Sequence, residues 1–96
     1  MKVVYSQEAL EDLGNFLEYI AVRNPSAARA IAAHLNHTIK LIGLHPRGAR
    51  YDPVRNVFGR VVTRLPLIIL YVVHADHVEL LAFFHTARDP NRKQRR

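Results

Sequence analysis

Apolar positions in the first half of the chain recur every three or four residues. In residues 7–22 and again in residues 25–43 they form one stripe along a helix, with polar side chains largely elsewhere. Ser6 is a favourable N-cap for the first helix. Asn24 and Pro25 end this helix and begin the second, because proline disfavours a helical residue before it and suits the first helical position. So short a link predicts an antiparallel helical hairpin.

The pattern changes to a period of two in the second half. Residues 57–65 and 78–85 alternate along a strand, and residues 67–73 are almost all apolar, as in a central strand. Residues 45–56 hold two prolines and a glycine, which predicts an exposed basic loop, and residues 2–5 predict a short strand. The order predicts an α+β domain: an N-terminal strand, an antiparallel two-helix hairpin, then a three-stranded antiparallel meander completing one sheet. The helices cover one face of that sheet.

Length and composition narrow the class of protein. A chain of 96 residues makes one domain, 1–96, and 49% hydrophobic with 23% charged residues is typical of a soluble globular protein. Without cysteine there is no disulfide, thiolate metal site or cysteine nucleophile. No signal-peptide pattern is visible, and the longest apolar run, residues 65–73, is too short to span a membrane. We therefore expect a cytoplasmic protein with no membrane partner.

The net charge of +6 belongs to the second half of the chain. Residues 1–46 carry four basic and four acidic side chains, whereas residues 47–96 carry ten basic and four acidic ones. This asymmetry predicts a negatively charged partner: nucleic acid, a ribosome or an acidic protein. For the basic tail, about residues 89–96, a solvated and solubilising terminus is an alternative.

Four short motifs follow one another along the chain. The first motif spans the predicted strand and helices and consists of Tyr5-Ser6, Ala9, Asp12-Leu13, Tyr19-Ile20-Ala21 and Asn24-Pro25-Ser26-Ala27-Ala28. The other three are the loop Pro46-Arg47-Gly48, the strand Pro66-Leu67-Ile68-Ile69-Leu70-Tyr71 and the ending His85-Thr86-Ala87-Arg88-Asp89-Pro90. In this order they resemble the RelE/ParE superfamily of type II toxins, over about residues 3–90. The likeness is closest to the ParE-like branch, once called plasmid stabilisation proteins. By spacing, about Phe58 stands where many ParE-like toxins carry an arginine, so either Arg55 or Arg60 takes that role or the role is absent. Leu67 replaces the usual tyrosine.

The resemblance implies a bacterial growth-arrest toxin held in a hetero-oligomer by a cognate antitoxin. Such antitoxins have a DNA-binding N-terminal half and an acidic, helical C-terminal half that wraps the toxin. ParE-like members inhibit DNA gyrase and are not known as nucleases, whereas RelE-like members cut mRNA in the ribosome. We favour gyrase inhibition by non-catalytic binding; the alternative is a metal-independent, ribosome-dependent mRNA endoribonuclease using His85 and arginines.

Metal-free RNA cleavage needs a base for the 2′-hydroxyl, an acid for the 5′-oxygen and cations for the phosphate. The side chains that could supply these groups are His85, Tyr71, Arg60, Arg64 and Arg88. RelE-like sites typically add lysines in the middle strands and an aromatic residue near the C-terminus. This chain has no lysine between residues 40 and 93 and no aromatic residue after position 84, which favours binding over catalysis.

No metal or organic cofactor is predicted. His34 and His37 have a spacing that can bind a metal, but no third ligand lies nearby on their helix, so a solvated face is the better interpretation. The four glycines are scattered and form no phosphate-binding loop.

The sheet face turned away from the helices is predicted to bind the antitoxin or the target, because large exposed apolar patches usually mark binding sites. By alternation, one face of the last strand holds Leu81, Phe83 and His85, and the other holds Val78, Leu80, Ala82 and Phe84. Arg60 and Arg64 share one face of another strand. The residues predicted to contact a partner are Arg60, Arg64, Leu81, Phe83, His85 and Arg88.

Overall fold

The elements of the computed structural model, which describes residues 1–86, follow the predicted order. They are β1 (Lys2–Tyr5), α1 (Gln7–Arg23), α2 (Pro25–Leu44), β2 (Arg50–Asp52), β3 (Val57–Val62), β4 (Leu67–Val73) and β5 (His77–His85). The α+β class, the helical hairpin and the antiparallel meander of β3, β4 and β5 are confirmed. Within residues 1–86 no helix is long and apolar enough to cross a membrane.

All five strands form one sheet in the order β1-β5-β4-β3-β2. β1 pairs in parallel with β5, with Val3 beside Val78, so the sheet is mixed. β2 lies at the opposite edge, antiparallel to β3, within residues predicted to be a loop. Three residues followed by Pro53 are too short to show an alternating pattern, and only pairing with β3 makes them a strand.

The third strand ends earlier than its sequence pattern predicts. β3 stops at Val62, because Arg64 has a left-handed backbone, with φ of 70°, and the Leu65 amide donates to the Val62 carbonyl across a turn. Arg64 therefore lies in the β3–β4 turn, and the prediction that it shares a strand face with Arg60 is wrong.

A β-bulge interrupts the last strand. Leu70 pairs with Ala82, but Tyr71 pairs with Leu80, so Leu81 is an extra residue between them. A bulge leaves two residues of one strand opposite one residue of its partner and reverses the alternation of side chains beyond it.

The bulge overturns the predicted faces of β5. Phe83 pairs with a buried residue of β4 and joins the core, and the His85 ring packs against α1. Both face the helices, so they do not form an outward face with Leu81. Ala82 and Phe84 lie on the opposite side of the sheet.

The core fills the space between the helices and β3, β4 and β5. Its buried members are Ala9, Phe16, Leu35, Ile39, Ile42, Val62, Leu67, Ile69, Tyr71, Val78, Leu80 and Phe83. At the end of α2 the chain needs a small residue. Gly43 accepts a hydrogen bond from the N-terminal amine at 2.7 Å, and a Cβ there would lie 2.9 Å from the Met1 carbonyl oxygen.

Side chains at the start of α1 form hydrogen bonds with the backbone of β5 beyond the end of β1. The Ser6 hydroxyl accepts from the Ala9 amide at 3.0 Å, which confirms the predicted N-cap. The same hydroxyl donates to the Leu81 carbonyl at 3.0 Å. One turn further on, an Asp12 carboxylate oxygen accepts from the Phe83 amide at 3.0 Å. These two side chains supply bonds that β1 is too short to make.

Candidate functional site

The sheet face without helices, here called the open face, is apolar at its centre. Its apolar side chains come from alternate positions of the three middle strands: Val57 and Val61 on β3, Ile68, Leu70 and Val72 on β4, and Ala82 and Phe84 on β5. Glu79, paired with His74, lies beside Val72 at the end of this face nearest the β4–β5 turn. Val61 is 67% exposed and Ile68 and Leu70 are half-buried, whereas Ala82 and Phe84 are buried, so the accessible part of the face is the part formed by β3 and β4. A shallow groove of about 520 Å³ runs along them, with Arg50 and Arg55 at its rim.

The chemistry of this open face is that of a binding surface. Its central side chains are hydrocarbon, so none of them transfers a proton or attacks a bond. Exposed apolar groups beside arginines suit a partner with both apolar and acidic side chains.

His85 and Tyr71, the proposed acid and base for RNA cleavage, lie on the helix side of the sheet. The half-buried His85 ring packs edge-on against Phe16 and Tyr19, with ring centroids 5.1 and 4.9 Å away. The buried Tyr71 hydroxyl donates to the Pro46 carbonyl at 2.8 Å. Burial raises the pKa of Tyr71 above its ordinary value, which the charge of Arg60 opposes.

The register of β4 separates these two groups. His85 pairs with Leu67, four residues before Tyr71 in the same strand. At about 3.3 Å per residue, His85 and Tyr71 are attached to the backbone about 13 Å apart. Ile69, fully buried, fills the space between.

Of the arginines proposed for the site, the two that the structure describes, Arg60 and Arg64, do not lie together. Arg60 is half-buried opposite Ile69, two residues from Tyr71 in register. Arg64 is exposed on the β3–β4 turn, and Arg88 lies outside the described residues. The structure thus brings Arg60 close to Tyr71 but does not assemble the described candidates around one point.

The histidines on α2 have other roles. His34 places its Nε2 atom 2.8 Å from the Thr63 carbonyl oxygen and so links α2 to the end of β3, while His37 is exposed. In residues 1–86 no three histidine, aspartate or glutamate side chains converge where they could hold a metal.

Two histidines and two carboxylates form a cluster at the β4–β5 turn. The His74 and His77 rings stack with centroids 4.5 Å apart, and each meets a carboxylate, Glu79 at 3.0 Å and Asp76 at 2.7 Å. The hydrogen bond from His77, and then its charge, hold the pKa of the exposed Asp76 carboxyl below its ordinary value.

The β2–β3 hairpin carries an arrangement that the sequence pattern did not reveal. Tyr51, Phe58 and Tyr71 form a row of rings across three strands, and Arg47 and Asn56 line a cavity beside them. One sign of this arrangement was present in the sequence, an arginine-rich segment that contains a tyrosine. Because the segment was predicted to be a loop, no neighbour was predicted for that tyrosine.

Comparisons with known proteins agree with the fold and the motifs. The model of a family described as the ParE toxin of the type II toxin–antitoxin system parDE matches residues 3–90. A solved structure described as the chromosomal ParDE toxin–antitoxin system from P. aeruginosa contains a similar chain, with a TM-score of 0.76 and 18% identity. The match covers 88% of this chain and 95% of that one, and at this identity it shows the fold alone. No curated protein sequence matches.

Proposed function

This chain belongs to the ParE toxin family of type II toxins, and we propose that it arrests growth by binding DNA gyrase without catalysing a reaction. The observation that carries the proposal is the open face, apolar at its centre and free of acid–base groups there. The choice of gyrase rests on the resemblance to ParE-like toxins. We propose that the toxin acts on gyrase in the cytoplasm.

The positions of His85 and Tyr71 support binding over RNA cleavage. An acid and a base must each reach within hydrogen-bond distance of one scissile phosphodiester. About 13 Å of backbone separates these residues, and the Tyr71 hydroxyl is engaged by a backbone carbonyl.

The test runs two assays side by side on the purified toxin. We expect inhibition of gyrase supercoiling and no cleavage of mRNA on ribosomes. His85→Gln should leave the supercoiling inhibition in place if the protein stays folded, which circular dichroism checks. Ribosome-dependent cleavage that His85→Gln abolishes would instead establish the endoribonuclease alternative.

We also propose that the open face binds the cognate antitoxin. An acidic, amphipathic segment that folds on binding would place apolar side chains over Val61, Ile68 and Leu70 and its carboxylates toward Arg50 and the β3–β4 turn. Phe83, His85 and Arg60 drop out of the contact set proposed for this face, because the register places them on the helix side of the sheet. Arg64 remains in it, and so does Arg88, although it lies outside the described residues.

A matched pair of variants tests this surface. Val61 and Val54 are both exposed, at 67% and 91%, but only Val61 lies on the open face; Val54 lies in the β2–β3 turn. We expect Val61→Asp to weaken antitoxin binding by about tenfold or more, the equivalent of about 1.4 kcal/mol, and Val54→Asp to leave it unchanged. Equal affinity for both variants would exclude the open face as the antitoxin site.

The electrostatic part of the interface has its own measurement. Arg64→Glu should weaken antitoxin binding and flatten its dependence on salt, because the partner is expected to be acidic. Arg29→Glu, on the exposed surface of α2, changes the net charge equally and serves as the control. If the two variants have the same salt dependence, specific charge pairing at the β3–β4 turn is refuted.

A further inference from the structure

We infer that the β2–β3 hairpin forms a second binding surface, which takes single-stranded nucleic acid. This surface, here called the hairpin platform, consists of Arg47, Tyr51, Asn56 and Phe58. It lies beside the edge strand β2, at the far side of the sheet from β1. The inference is independent of the proposed gyrase target.

The platform is a row of aromatic rings with one exposed end. Tyr71 is buried, and Phe58 stacks on it at 5.3 Å with an angle of 12° between the rings. Tyr51 continues the row, 4.9 Å from Phe58 and tilted by 52° against it, and is 45% exposed. A row anchored in the core and ending in an exposed ring offers a flat surface on which an unpaired base can stack.

Hydrogen bonds within the hairpin hold the exposed ring in place. The Tyr51 hydroxyl donates to the Asn56 side-chain oxygen. Asn56 has a left-handed backbone, with φ of 59°, and its amide donates to the Asp52 carbonyl at 2.8 Å. The Asp52 carboxylate accepts from the amides of Val54 and Arg55. A fixed ring loses little conformational freedom on binding, which favours affinity.

Charge around the platform is strongly positive. Residues 45–60 hold four arginines and one aspartate, which is half of the chain's net charge of +6. The single carboxylate, Asp52, is occupied by the turn and by Arg55 at 3.4 Å. Within residues 1–86, Arg47, which lines the cavity beside Tyr51, and Arg60, on the same sheet face as Phe58, have no carboxylate within salt-bridge distance. Unpaired guanidinium groups flanking an aromatic ring suit phosphates that flank a base.

The shape of the site favours single strands over duplexes and over acidic peptides. The cavity beside Tyr51 is about 360 Å³ and is lined by Arg47, Asn56 and Phe58. Stacking on Tyr51 requires a base whose face is free, which a duplex does not offer. An acidic peptide would satisfy the arginines but would leave the ring and the Asn56 amide nitrogen without a partner.

The experiment measures fluorescence anisotropy of labelled oligonucleotides with the full-length toxin, over a series of salt concentrations. The probes are a thymidine DNA strand and a uridine RNA strand of about 12 nucleotides, and a DNA duplex of equal length. We expect both single strands to bind more tightly than the duplex. Tyr51→Ala should weaken binding by about 5-fold to 150-fold, the range measured for loss of one stacked base.

Arg47→Gln tests the phosphate contact without touching the hairpin, so it keeps the test valid if Tyr51→Ala fails to fold. It should lower the slope of log K against log salt by about 0.7, the value for one phosphate on a single strand. The matched control, Arg29→Gln on the exposed surface of α2, removes the same charge and should leave the slope unchanged.

Three results would overturn the inference. They are equal binding of duplex and single strand, equal slopes for Arg47→Gln and Arg29→Gln, and unchanged affinity in a folded Tyr51→Ala protein. Preferential capture of a polyglutamate peptide that single strands cannot displace would assign the platform to an acidic protein instead. None of these results bears on supercoiling, so failure here and failure of the gyrase proposal are distinguishable.

Discussion

Asp12 should contribute more to stability than any other carboxylate of α1, because it completes the hydrogen bonding of β5. Its side chain accepts from the Phe83 amide at 3.0 Å, beyond the point where β1 ends. Phe83 is 3% exposed, so water cannot easily replace this acceptor. Removing it leaves a part-buried backbone donor without this partner.

The size of the effect follows from two opposing contributions. A hydrogen bond to a charged group contributes about 1.5–3 kcal/mol to the free energy of unfolding. Asp12→Ala also improves helix propensity by up to about 0.7 kcal/mol. The net loss should be about 1–2 kcal/mol, which lowers the melting temperature of a domain this size by roughly 4–16 °C. Asp12→Asn keeps an oxygen acceptor without the charge, and should lose about half as much.

Urea unfolding followed by circular dichroism measures the stability, and hydrogen exchange of the Phe83 amide reports the bond itself. Glu18→Ala is the control, because Glu18 is exposed on the same helix and should change stability by no more than about 0.5 kcal/mol. The reasoning is refuted if Asp12→Ala is no more destabilising than Glu18→Ala, or if both variants give the same Phe83 exchange rate.

Two further substitutions probe the packing of the fold. Gly14→Ala should stabilise the protein by about 0.5–1 kcal/mol, since nothing lies within 4 Å of the added methyl group. Gly43→Ala should not stabilise it, because the added methyl group would lie too close to the Met1 carbonyl oxygen. Thermal melts of both variants test this. Tyr71→Phe should cost about 1 kcal/mol at neutral pH, because it removes the bond to Pro46. Burial raises the folded pKa of Tyr71 above 10.0, so the stability of the wild-type protein should fall as pH rises from that value through the folded pKa. The stability of Tyr71→Phe should fall less over the same range. Urea unfolding at neutral and alkaline pH measures both losses, and equal losses would contradict this reasoning.

The helices were predictable because their signals are local. Ser6 caps α1 with its own hydroxyl, and Pro25 separates the helices whatever lies around them. The stripes of apolar residues need only one neighbouring surface to bury them. The meander was predictable for a similar reason, since β4 is almost entirely apolar and its neighbours are close in the chain.

The composition of the candidate site was predictable only in part. The sequence indicated arginines near an apolar sheet face, and the open face has that character. It did not indicate which residues form it, because the extra residue at Leu81 exchanges the two faces of β5 halfway along the strand. A bulge depends on pairing with the neighbouring strand and leaves no mark in a period-two pattern.

By itself the sequence determined the order and type of the main elements, the α+β class, the motifs of the toxin family and the placement of charge in the second half. These follow from neighbouring residues and from composition. Only the tertiary structure decided that β1 pairs in parallel with β5, that residues 50–52 form an edge strand, and that His85 and Tyr71 point into the protein. Each of those outcomes depends on contacts between residues distant in the chain, whose register is set by the sheet and the helices packing together.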